Sequence, residues 1–390
     1  KEILVILILI IISICIYYFY NNNNNNNNIE EFLTTPSWGQ LGSSIPGASA
    51  NDKSGYSVSL SANGTTVAIG APGTPGNNGN GTDSGHVRIY KYDGTRWTQK
   101  GISIPGASVN DQSGESVSLS SDGTIVAIGA IYNDVNGTRS GHVRIFQWNE
   151  TNWEQLGSDI DGEAAGDWSG FSVSLSSDGK IVAIGAPGNN NWSGQVRIFE
   201  YDENTSSWGQ LGQEINGEAT GDYSGDSVSL SSDGKIVAIG APYNDGNGTE
   251  SGQVRIFEYD ENTSSWGQLG QEINGEATGD YSGDSVSLSS DGKIVAIGAL
   301  FNDGNGTESG HVRIFEYDEN TSSWRQLGQD IYGEGGDYSG FSVSLSSDGT
   351  IVAIGAPGNN NWSGYVRIYK ISPIDCVGSF VNDGVCVADN

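Results

Sequence analysis

The sequence predicts an all-β fold, a six-bladed β-propeller of four-stranded blades, on three observations. The string Ser-Val-Ser-Leu-Ser starts at Ser57, Ser116, Ser172, Ser227, Ser285 and Ser342, at spacings of 59, 56, 55, 58 and 57 residues. Such a unit is too long for leucine-rich, ankyrin or tetratricopeptide repeats and suits a propeller blade. Each unit also holds four short runs of period-two alternation, the mark of half-buried strands. Finally, residues 200–241 and 258–299 are identical over 42 positions, so the period reflects duplication of one unit.

Residues 1–20 come first. Positions 3–20 are apolar except for Ser13, long enough for a helix that crosses a bilayer. This hydrophobic helix reads as a signal-anchor that places the remainder outside the cell. The alternatives are a cleaved signal peptide and a filament-core helix that associates with copies of itself. An Asn-rich linker follows over 21–35, with eight consecutive asparagines and no apolar period.

The propeller is expected over 36–371. In the fourth unit the strands read as 227–231, 236–241, 253–259 and 266–273, with Asp233-Gly234 as a hairpin turn. Val237 and Ile239 alternate with the small Ala238 and Gly240, which suits wedge-shaped blades packed face to face. The last unit has no fourth run, whereas residues 38–43 (WGQLGS) look like a fourth strand without a blade. Joining the two completes a sixth blade and removes open edges. An open superhelical array is the alternative. A short tail over 372–390 ends the chain, and Cys376 and Cys386 within it are expected to form a disulfide.

These units resemble the FG-GAP repeats of integrin α-chain heads and of many secreted microbial proteins. The "FG" half stands as Asp167-Trp168-Ser169-Gly170-Phe171-Ser172-Val173, and the "GAP" half as Gly70-Ala71-Pro72, Gly185-Ala186-Pro187, Gly240-Ala241-Pro242 and Gly355-Ala356-Pro357. The resemblance covers 38–370 and implies a propeller, often seven-bladed in that family. Serine replaces the family's phenylalanine, and two units read Gly129-Ala130-Ile131 and Gly298-Ala299-Leu300. The family's calcium loop between the first two strands is here only Ser-Ser-Asp-Gly, so that site is not carried over.

With 47 acids against 17 bases the formal charge is −30, which repels phosphate backbones and excludes a nucleic-acid partner. Catalysis calls for unlike groups gathered at one place, yet the polar residues recur blade after blade, so no enzyme is expected. His86, His142 and His311 share one slot and read as strand-face residues. Arg88, Arg144, Arg197, Arg255, Arg313 and Arg367 read as partners of nearby acids. Asp52, Asp111, Asp167, Asp222, Asp280 and Asp337 precede each first strand and are expected to cap turns.

If first strands run up, the links into them and the links after second strands share the lower face. That places Trp168, Tyr223, Tyr281 and Tyr338 beside Trp192, Tyr243, Phe301 and Trp362, a platform for a carbohydrate or protein ligand, or else a set of covers for the blade ends. Asp134 with Asn136, Asp245 with Asn247, and Asp303 with Asn305 space oxygens two apart in glycine-rich loops, a pattern calcium uses. Asn-x-Ser/Thr acceptors stand at Asn63, Asn80, Asn136, Asn149, Asn191, Asn204, Asn247, Asn262, Asn305, Asn320 and Asn361. In a translocated chain they are expected to carry covalently attached glycans. The function expected is a non-enzymatic, glycosylated surface propeller with a structural or adhesive role. A calcium-dependent ligand- or glycan-binding receptor is the alternative.

Overall fold

The computed structural model describes residues 40–73, 83–371, 381–382 and 385–386. The chain divides into Lys1–Ser44 and Ile45–Asn390. In the first unit the described residues form no strand, and the Gln40 amide donates to Ser44 Oγ at 3.3 Å. The expected helix over 3–20, the linker, Asn80 and Cys376 lie outside the described residues. No helix among the described residues is long and apolar enough to cross a membrane. No cysteine pair is found among them either.

The second unit holds the six blades of a β-propeller. Blade 4 shows the pattern. Ser227–Leu230 pairs antiparallel with Ile236–Ala241, which pairs with Gln253–Asp260. That third strand then pairs with two short strands, Ser265–Gln268 and Ile273–Asn274. The single fourth strand expected over 266–273 is thus two strands. Its pairings, Phe257 with Gln268 and Val254 with Ile273, leave two extra residues that bulge at Gly270, whose φ is +74°. Blades 1, 2, 3 and 5 repeat this five-stranded order.

The core lies between blades rather than within them. Ala238, Val254, Ile256 and Ile273 of blade 4 pack on Val286, Leu288, Val295, Ile297, Phe315 and Trp324 of blade 5. Side chains of this size contribute roughly 1.5–3 kcal/mol each when fully buried, so these joints dominate stability. Polar bonds set their register. Ser57, Ser116, Ser172, Ser227 and Ser285 each donate from Oγ to a glycine carbonyl of the following blade at 2.7–2.8 Å. The glycine of Gly240-Ala241-Pro242 is required by this approach, since a Cβ there would stand 1.9 Å from the Gly283 carbonyl oxygen. Trp266 and Trp324 donate their indole N–H to Leu211 and Leu269 of the preceding blade, both at 2.8 Å.

The sixth joint differs. The sixth sheet has three strands, Ser342–Leu345, Ile351–Ala356 and Tyr365–Lys370, and residues 40–43 form no strand. The closing fourth strand expected over 38–43 is therefore not formed among its described residues, 40–43. Among the described residues Ser342 makes no counterpart of the serine bond, and the apolar faces that would meet are open. Val58 and Leu60 are 63 % and 59 % exposed, against 9 % and 7 % for Val117 and Leu119 one blade on. Val366 is 66 % exposed where its counterpart Val254 is fully buried. The residues just before blade 1 are committed to that blade, because Arg88 donates to the Pro46 carbonyl at 3.0 Å. In the next joint, Arg144 reaches Pro105 in the same way, and there Pro105 also pairs within its own sheet.

Candidate functional site

Two kinds of link build one face. The first enters each blade through Asp-x-Ser-Gly. As expected, its aspartate caps the turn: Asp167 accepts from the Glu163 and Ala164 N–H groups at 3.0 and 2.8 Å. It also receives the Asn189 amide at 3.2 Å, and Asp222 and Asp280 receive Asn244 and Asn302, each at 3.0 Å. These asparagines, which the sequence reading missed, tie the second kind of link, after the second strand, to the first. The residue after the aspartate takes a left-handed conformation, with φ of +54 to +57° at Trp168, Tyr223, Tyr281 and Tyr338. That conformation costs roughly 1–2 kcal/mol for a side chain with a Cβ. Trp192 and Trp362, at +67° and +65°, present their rings from the second kind of link.

The eight aromatic candidates meet. Trp168, Trp192, Tyr223, Tyr243, Tyr281, Phe301, Tyr338 and Trp362 form one unbroken arc, with successive ring centroids 4.6, 5.0, 4.5, 4.8, 5.0, 5.5 and 5.3 Å apart. Tyr132, 6.4 Å from Trp168, extends it to blade 2. Its place in the repeat, matching Tyr243, was the signal that would have found it. Edge-to-face and offset pairs at these distances contribute about 0.5–1.5 kcal/mol each. The rings are thus covers for one another, yet none is buried, and Trp362 at the end of the arc is 71 % exposed.

Acids border the arc. Tyr281 donates its hydroxyl to Glu250 at 2.5 Å, and Tyr338 donates to Glu308. The bond to Glu250 pushes the Tyr281 hydroxyl up to about 12. Burial pushes Asp284 up to about 7 and Asp226 up to about 8, the charge of Asp284 adding to the latter. Two clefts of about 710 and 620 Å³ open along the arc, one lined by Tyr223, Tyr243, Asp245 and Glu250, the other by Tyr281, Phe301, Asp303 and Glu308.

The loop aspartates each spend one oxygen on their own turn, and the loop asparagines spend their amide nitrogen on the next link. Asp134, Asp245 and Asp303 accept the N–H of Arg139, Glu250 and Glu308 at 2.7–2.8 Å. Asn136, Asn247 and Asn305 turn their amides to the carbonyls of Gly162, Gly275 and Gly333. Asn63, Asn136, Asn149, Asn191, Asn204, Asn247, Asn262, Asn305 and Asn320 are all exposed. The histidines sit at the buried start of the third strand, and His142 and His311 face acids there. Arg197, Arg255, Arg313 and Arg367 lie 3.1–3.8 Å from Glu163, Glu218, Glu276 and Glu334.

No curated protein matches the sequence. Solved structures do match the fold. A Bacteroides uniformis protein described as a candidate 6-phosphogluconolactonase has a TM-score of 0.56 at 14 % identity, over 82 % of this chain and 81 % of its own. A second from Bacteroides fragilis gives 0.55 at 14 %, over 82 % and 80 %. The periplasmic gluconolactonase PpgL of Pseudomonas aeruginosa gives 0.53 at 14 %, over 86 % and 92 %. Identity this low speaks for the fold alone. The family model described as FG-GAP repeat matches residues 97–146, 216–257 and 274–315. The chain therefore carries FG-GAP repeats, built into the blades of a six-bladed β-propeller.

Proposed function

We propose that this protein is a non-catalytic, glycosylated adhesion propeller of the cell surface, and that its aromatic arc binds a neutral carbohydrate polymer. The arc itself carries the reading: eight rings in contact, spanning four blades on one face, with none buried. Aromatic faces pack against the C–H faces of sugar rings, while flanking carboxylates such as Glu250 and Glu308 accept sugar hydroxyls. The acidic border and the charge of −30 disfavour anionic polymers, which leaves neutral or basic ones. Repetition of the same polar groups in successive blades suits an extended ligand more than a reaction centre. The Asn191 acceptor adjoins Trp192, so binding is measured before and after enzymatic removal of N-glycans. In a tryptophan-fluorescence titration with neutral oligosaccharides, Trp362→Ala weakens binding about 10-fold, a loss of ~1.4 kcal/mol. Equal binding by the wild type and this variant would refute the assignment.

A further inference from the structure

The histidine slot holds a second site. His142 opens the third strand of blade 2 (His142–Trp148), and Asp161 lies directly opposite it on Ile160–Asp161. Asp159, two residues earlier, falls on the same face by the period of a strand. His142 Nδ1 stands 3.5 Å from Asp159 Oδ2 and 3.9 Å from Asp161 Oδ1, too far for hydrogen bonds. The imidazole is fully buried, and both its nitrogens lack a hydrogen-bond partner, as does the buried Asp161 Oδ1. Leaving three such atoms unsatisfied is costly, and one cation between them would satisfy the two that face each other.

We propose that His142, Asp159 and Asp161 bind a divalent transition-metal ion of the zinc class, with water completing the coordination. One imidazole nitrogen and two carboxylate oxygens suit zinc rather than calcium, which takes oxygen alone. Around a tetrahedral zinc such ligands stand about 3.4 Å apart; His142 Nδ1 is already near that distance from each carboxylate, and all three ligand atoms lie within 4.8 Å of one another. The Gln155 amide holds Asp159 by Oδ1 at 2.6 Å and leaves Oδ2 facing the histidine. The carboxylates are about one-third exposed, which gives the ion a way in. The full burial of the imidazole disfavours its charged form and leaves a neutral nitrogen to ligate.

Two arginines bear on the cluster, and neither bonds to its side chains. Arg144 donates to the Pro105 carbonyl, and Arg197 donates to the Asp161 carbonyl while facing Glu163. Blade 5 offers a comparison in Glu276, His311 and Asp330. There Arg313 faces Glu276 at 3.8 Å, and both Asp330 oxygens accept bonds, from Gln326 and Tyr332. Blades 3 and 4 replace the histidine by Gln195 and Gln253, and Asp161 by Asn216 and Asn274.

Those natural replacements supply variants that suit the fold. Metal-stripped full-length protein is titrated with Co²⁺ followed by its visible absorption, then with Zn²⁺ in competition. The wild type takes up one Co²⁺ with a four- or five-coordinate spectrum that zinc abolishes. His142→Gln and Asp161→Asn each weaken uptake by about 100-fold or more at unchanged metal-free melting temperature, while Glu276→Gln binds as the wild type does. Absence of stoichiometric uptake by the wild type, or uptake by His142→Gln or Asp161→Asn equal to that of the wild type, overturns the site. Should one variant fail to fold, the other gives the reading.

Discussion

Asp226 and Asp284 show what one residue does beside the arc. Burial raises both, Asp226 to about 8, whereas an unfolded aspartate titrates near ~3.9. Between those values the native chain holds a proton that the unfolded chain has released. The stability tied to this proton is complete below the unfolded value and is lost as pH rises through about 8. Thermal melts at pH 5, 7 and 9 should show a decline that Asp226→Asn makes shallower, because the amide has no proton to lose. Identical slopes for the two proteins would remove Asp226 from the account. The sequence revealed neither this acid nor Glu115 in the same repeat position. Their shifts come from neighbouring chain, and nothing local in Ser-Gly-Asp-Ser-Val distinguishes a raised carboxyl from a solvated one.

At the scale of the element, the fourth strand marks the limit of local reading. Alternation in WGQLGQEI was legible and the pairing partner was right, since both halves pair with the third strand. The break at Gly270 was not, because it interrupts the run without ending its pairing, and a neighbouring blade then closes over it: a Cβ there would stand 2.9 Å from Trp324 Cδ1, and that indole donates to Leu269. Gly328, with φ of +79°, has the same conformation in blade 5 but open space around its Cα. Gly270→Ala should therefore cost more than Gly328→Ala, about 2–3 against ~1 kcal/mol in chemical denaturation. Equal costs would mean that the Trp324 indole adds nothing to the strain of the left-handed backbone. The turn aspartates, by contrast, were readable, because the N–H groups they cap lie within a few residues of them.

For the whole molecule, the number of blades was plain from the period, and the joint between first and last was not. Closure of a ring depends on the accumulated rotation of six blades, and no residue encodes that rotation by itself. The open joint has a direct mutational signature. Leu119 is 7 % exposed and Leu60 is 59 % exposed at equivalent positions. Leu119→Ala should cost about 2–5 kcal/mol and Leu60→Ala under ~1, measured by urea unfolding. Similar costs would place Leu60 in a closed joint. The same blade-to-blade rotation carries the aromatic positions, each legible in its repeat, into one continuous arc that no single repeat could announce. If that arc is the working surface, a longer ligand touches more rings. Calorimetric titration with neutral oligosaccharides of increasing length should give affinities that climb with each added sugar and level off once the arc is spanned. A series that shows no binding, or the same affinity at every length, would contradict the account.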